Sequence, residues 1–202
     1  MRGLKRFFLV FLAAYLGLVL LHTWSPVEQL HLRFFMGLEQ TIFNLFHSHV
    51  HTRFIPFIVD PDIPQTEDFH FSIEIYDQLN WNQRYQTRIL PNYQLNQNLK
   101  VASIFHVLFF VALMVATPIS WRRRLAGLSL GLVIIYLLIA MKFTHLIGEK
   151  AEFMQNRSWT LWQSISDLIG PAMRTHEFLL MAILCIWILV SFRSADFKKL
   201  IS

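Results

Sequence analysis

Of the 202 residues, 54% are hydrophobic and only 15% are charged, with 19 phenylalanines among the aromatics. Soluble domains usually carry about 25% charged residues, so this composition argues against an ordinary soluble domain. The net charge of +5 invites a nucleic-acid reading. Half of the 18 Lys and Arg, however, lie in three short stretches: Arg2, Lys5 and Arg6; Arg122, Arg123 and Arg124; Arg193, Lys198 and Lys199. These flank apolar runs, as topology signals do, and do not mark out a groove for phosphates. The expected partner is the lipid bilayer, not a nucleic acid.

Residues 7–24 are predicted to form the first transmembrane helix. A basic start precedes 7–21, which no charge interrupts. A signal peptide shares those two features, but the exit His22-Thr23-Trp24-Ser25-Pro26 lacks the small-x-small cleavage pattern. The helix is therefore read as uncleaved, with its N-terminus in the cytoplasm and Trp24 at the outer interface.

Residues 25–100 are predicted to form an external, periplasmic α+β segment. Ser25-Pro26 suits an N-cap followed by proline at the first helical position. Val27, Leu30, Phe34, Leu38, Ile42 and Leu45 then recur every three or four residues, while Glu28, Gln29, His31, Glu39 and Gln40 fall mostly elsewhere. That is an amphipathic helix for the outer membrane surface or for packing on its own bundle. An apolar run at 54–59 ends in the turn-rich Asp60-Pro61-Asp62-Ile63-Pro64. Residues 69–76 and 83–90 both alternate with period two, which predicts an antiparallel hairpin with one wet face. Glu74 would face Arg84 or Arg88 across it. Pro91-Asn92 breaks the second strand, and a polar stretch leads to Lys100.

Two apolar runs follow, 101–120 with His106 as its titratable group and 125–145 with Lys142 near its end. Each is about 20 residues, enough at 1.5 Å per residue to cross a roughly 30 Å hydrocarbon layer. The turn between them, Trp121-Arg122-Arg123-Arg124, resists translocation and belongs in the cytoplasm. Gly127 and Gly131 have the small-xxx-small spacing that admits another helix, here within the same bundle. Residues 146–172 return outside as an interfacial loop and helix carrying Trp159, Leu161, Trp162, Ile165, Leu168 and Ile169. Residues 173–192 form the fourth span. Asp196 is the one acid beside the basic stretches; the remaining acids all fall on the outer side of this topology. The predicted fold is an integral membrane α-helical protein with four transmembrane helices, an external α+β insertion between the first two, and both termini cytoplasmic.

Three sets of residues carry possible chemistry. His47, His49 and His51 alternate, and Asp60, Asp62 or Glu67 would complete a zinc or copper site. Alternation alone does not wrap ligands around a metal, so these are read as surface histidines after a helix. Lys142, His145 and Glu149 at one helix end and Arg174, His176 and Glu177 at another gather at the outer face; His145 and Glu149 share a helical face. His145, Glu149 and His176 would equip a general acid–base site in a small membrane enzyme or transporter subunit. The plainer account is ion pairing and snorkelling at helix ends. His106 reads as an interhelical hydrogen-bond donor before a proton relay. Asn156-Arg157-Ser158 matches the glycosylation pattern on the outer side. The single cysteine, Cys185, lies in an apolar run, so no intrachain disulfide forms. There is no nucleophile motif, phosphate-binding glycine loop or HExxH. No catalytic residue, cofactor or metal is assigned, and a non-enzymatic role is expected.

Residues 7–21, the external segment, and the Ala116-Thr117-Pro118 exit leading to Arg122, Arg123 and Arg124 give a layout that resembles exosortase-associated small membrane proteins. The kind accompanying exosortase H is the most similar. The resemblance covers layout along most of the chain, without a specific motif. The Cys, Arg and His catalytic pattern of exosortases themselves is not present. What it implies is an accessory or scaffolding subunit of an inner-membrane complex, linked to protein sorting at the cell envelope. Its external segment would recognise a membrane-protein partner.

Overall fold

A computed structural model describes residues 2–46, 50–56, 70–77, 93–98, 103–155 and 175–192. The protein is mostly helical with a small antiparallel sheet. Its elements run α1 (Arg2–His22), α2 (Ser25–Phe46), β1 (Val50–Pro56), β2 (Phe71–Asp77), β3 (Tyr93–Gln97), α3 (Phe105–Ala116), α4 (Trp121–Gln155) and α5 (His176–Ser191). They divide into two compact units: Met1–Val27, Ser103–Ile139 and Pro171–Ser202 in the first, Glu28–Ala102 and Ala140–Gly170 in the second.

Leu4–His22 and Trp121–Ile147 are long and apolar enough to cross a membrane. The shorter apolar helices α3 and α5 cover ~18 and ~24 Å at 1.5 Å per residue. α3 packs on both α1 and α5. Gly127 brings α4 against Met114 of α3 and Val190 of α5, and Gly131 lies directly under the buried Phe110 ring of α3. No larger residue at 131 leaves room for that ring, which is the close approach the glycine spacing predicts. The outward faces remain apolar: Phe8, Leu12 and Leu16 on α1, and Leu130, Val133 and Leu137 on α4, are all exposed. Soluble monomers do not leave such contiguous stripes uncovered.

From sequence, the third span ends at 145 and an external interfacial loop and helix begin at 146. In the structure α4 continues unbroken to Gln155, 35 residues in all. The reason is local: Glu149, Lys150, Ala151 and Glu152 are good helix formers, and Gly148 costs only about 1 kcal/mol in a helix interior.

The second unit buries α2 against an antiparallel sheet of order β1-β2-β3. The buried side of α2 carries Phe35, Met36, Glu39 and Phe43, whereas Leu30 and Phe34 are 70% and 55% exposed. The stripe drawn from sequence is thus rotated off the packed side. α2 has apolar residues over more than one face, and spacing alone does not choose between them. Phe35 of α2, Phe71 of β2 and Phe143 of α4 meet edge to face with centroids 5.6–6.0 Å apart, and Phe54 of β1 stacks on Phe71 at 6.0 Å. These four rings, with Ile73 and Ile75, form the centre of this unit.

The strand pairing also differs from the hairpin expected. One edge of β2 is taken by β1, from Val50↔Asp77 to Pro56↔Phe71, and the other by β3, from Phe71↔Gln97 to Ile75↔Tyr93. The segment 83–90 lies outside the described residues. Along 71–75 both edges of β2 are filled. The residue directly across from Glu74 is Arg53, not Arg84 or Arg88. Acid and base still share the polar face, as alternation requires, but the base comes from β1.

Candidate functional site

The arginines after Trp121 meet the ends of two helices. α3 ends at Thr117, where Pro118 prevents continuation. Its exposed carbonyls find donors on the following helix: Arg124 Nη2 donates to Thr117 O at 2.8 Å. Arg123 Nη2 donates to Ser191 O at 3.1 Å, at the end of α5. Two cations therefore meet two helix C-termini, where the macrodipole is negative. The Thr117 hydroxyl donates to Leu113 O at 2.6 Å and accepts from Trp187 Nε1 at 2.8 Å. Ser191 Oγ donates to Met114 Sδ at 3.3 Å. The indole of Trp187 also meets Phe7 and Phe192, and Arg124 lies 5.7 Å from the Trp121 ring centre.

Beside this network lies a cavity of about 750 Å³. Its polar lining comes from Arg6, Thr117, Arg124 and Trp187, its apolar wall includes Phe7 and Val115, and no acid is among the described residues that line it. Arg124 Nε is buried there without a hydrogen-bond acceptor among the described residues. This is a basic, mostly apolar cleft of the size that binds small ligands.

The second unit holds a different anomaly. Glu39 is 2% exposed, on the same side of α2 as Phe35 and Phe43. Its Oε1 has no hydrogen-bond partner among the described residues. Burial among apolar groups pushes the carboxyl up to about 8. Thr52 Oγ1, on the packed face of β1, is likewise buried without a partner. At the rim, Glu28 Oε1 and His70 Nε2 lie 3.2 Å apart and tie the start of α2 to the start of β2. On the polar face Tyr76 OH donates to Glu74 Oε2 at 2.8 Å, and Ser72 Oγ donates to Asn96 Oδ1 at 2.7 Å.

Of the residues singled out from sequence, only some have described side chains. His51 stands on β1, partly exposed, while His47 and His49 lie outside the described residues. No three His, Cys, Asp or Glu side chains converge among the described residues. His145 is buried on α4. Glu149 and His176 are placed on α4 and α5 by their backbones, their side chains lying outside those described, as does Arg174 altogether. His106 is buried on α3, Glu177 is exposed at the start of α5, and Cys185 is an exposed free thiol. Sequence reasoning missed Glu39, since its position off the Leu30–Phe34 stripe marked it as solvated. It also missed the capping by Arg123 and Arg124, for which Thr117-Pro118 as a helix stop was the available signal. No protein-family model, curated protein or solved structure matches this chain. Its chemistry therefore has to be read from its own residues.

Proposed function

We propose that this chain is a four-span protein of an inner (plasma) membrane, with both termini and the arginine turn in the cytoplasm and residues 25–100 outside. It serves there as a non-enzymatic accessory or scaffolding subunit. The first unit anchors it; the α2–sheet unit recognises a membrane-protein partner. The observation that carries this reading is the contrast between the units. The helices of the first leave apolar stripes outward, which hydrocarbon would solvate. The second has its own aromatic core and a sheet whose outer strands, β1 and β3, are short and polar on one face. Such strands suit docking of another polypeptide, including strand addition. The packing of α3 on α1 and α5 supports counting the two shorter helices among the spans. The layout supports the narrower proposal of an accessory beside an exosortase-type membrane protease.

Topology is tested with Cys185 replaced by Ala and single cysteines placed at Arg122 or Gln29, both exposed. Position 122 should react only with reagent on the cytoplasmic side and position 29 only from outside; labelling of both from one side sinks the topology. Function is tested by affinity purification in mild detergent with mass spectrometry. A stoichiometric membrane partner, lost on Arg53→Glu or Gln94→Pro but retained with His145→Ala and His176→Ala, is the expected result. A solitary protein refutes the accessory role. Loss of an activity in the histidine variants alone would favour the enzyme or transporter reading.

A further inference from the structure

We infer that the cavity beside the arginine turn is a site for an anionic glycerophospholipid. The inference rests on the proposed topology, which puts this end of the first unit at the cytoplasmic leaflet. Two features of the cleft select the ligand. Its basic lining residues are Arg6 and Arg124, with no acid among the described residues that line it. Arg124 spends one donor on Thr117 O and leaves Nε buried without an acceptor among the described residues. A guanidinium carries five N–H donors in a planar fork that matches phosphate oxygens, so donors remain for a headgroup. The apolar remainder of the wall, Phe7, Val10 and Val115, is suited to an acyl chain rather than to water.

An inorganic anion would satisfy the arginines but leave that apolar surface wet. A neutral lipid would cover the apolar wall but leave the buried Arg124 Nε without an acceptor among the described residues. One amphiphile with a phosphate and no compensating cation in its headgroup answers both. Basic clefts between membrane helices on the cytoplasmic side hold anionic headgroups by the same logic. The arrangement also distinguishes the three arginines of the turn. Arg123 caps α5, Arg124 faces the cleft, and Arg122 is exposed and does not line it.

The test uses the full chain in nanodiscs containing either phosphatidylglycerol or phosphatidylcholine with identical acyl chains, and native mass spectrometry after release into detergent. Wild-type protein is expected to retain phosphatidylglycerol about tenfold over phosphatidylcholine, equivalent to about 1.4 kcal/mol. Arg6→Gln should lower that preference severalfold. Val115→Trp, at an exposed rim position, should displace the lipid without touching the capping bonds, which keeps the test decisive if Arg124→Gln does not fold. Arg122→Gln should leave the preference unchanged. Equal retention of the two lipids overturns the inference, and so does an equal loss with Arg122→Gln, which would indicate diffuse surface charge. Displacement of the lipid by inorganic phosphate would assign the cleft to a small anion and overturn it too. Failure of the underlying topology reads differently: cysteines at positions 122 and 29 would be labelled from the same side, whereas a wrong lipid assignment leaves them labelled from opposite sides.

Discussion

Glu39 offers a prediction with both sign and size. Its carboxyl titrates at about 8 in the folded protein against 4.5 in an ordinary environment, because charging it would strand an anion among Phe35, Phe43 and their neighbours. The folded state then binds more protons than the unfolded state between those two values. The stabilisation is complete below pH 4.5, declines as pH rises, and is fully lost above about 8. Each pH unit in that window costs about 1.4 kcal/mol, so the whole interval comes to ~5 kcal/mol. Amide hydrogen exchange of β1 and β2, corrected for intrinsic rate, reports opening of this unit directly. The opening free energy of wild-type protein should fall across the window, while that of Glu39→Gln, neutral at every pH, should stay nearly flat. The difference between the two isolates Glu39 from every other titrating group. A protonated-carboxyl C=O band in the infrared at pH 7, absent from Glu39→Gln, should accompany it. Parallel exchange profiles for the two proteins would refute the assignment of a buried neutral carboxyl.

Other consequences follow from packing. Gly131→Ala should lower the detergent melting temperature markedly, because its methyl meets the fully buried Phe110 ring. Overpacking of this kind costs about 1–3 kcal/mol. Gly17→Ala, with nothing within 4 Å of the added carbon, should be neutral or slightly stabilising and serves as the control. Phe71→Ala removes the ring that touches Phe35, Phe54 and Phe143. It should cost about 3–5 kcal/mol and abolish protection of β1 and β3 together. Trp187→Phe keeps an aromatic ring but gives up the donor to Thr117 Oγ1; a loss of about 1 kcal/mol in chemical unfolding is expected.

The two helices long and apolar enough to cross a membrane were legible because hydropathy acts over long windows. Trp121–Ile147 stands out by length alone, and Gly127 and Gly131 announce their contact with α3 by spacing. The extension of α4 to Gln155 was harder to see: a helix leaving an apolar stretch for a polar one loses its hydropathy signal but not its propensity. β3 was hidden for a similar reason. Tyr93-Gln94-Leu95-Asn96-Gln97 looks like a polar linker, and only the filled edge of β2 reveals it as a strand. Alternation correctly identified the two faces of β2 but says nothing about which neighbour pairs with it, since register and partner are decided by non-local contacts.

The polar features were least legible, and Glu39 and Arg124 show why. A carboxylate at a helical position off the main apolar stripe is ordinarily solvated, so sequence alone assigns Glu39 to water. Its burial follows from α2 being apolar on two sides, with the sheet claiming the Phe35–Phe43 side rather than the Leu30–Phe34 side. The three arginines looked equivalent because topology depends on their sum. Their separate roles depend on where α3 and α5 end, at Thr117 and Ser191, and on which carbonyls those ends leave open. Charge count determines which side of a membrane the turn occupies. Helix termini determine which arginine is consumed in capping and which retains donors for a ligand. Arg6→Gln and Arg122→Gln remove the same charge, but only Arg6 lines the cleft, so the two should differ in lipid selectivity.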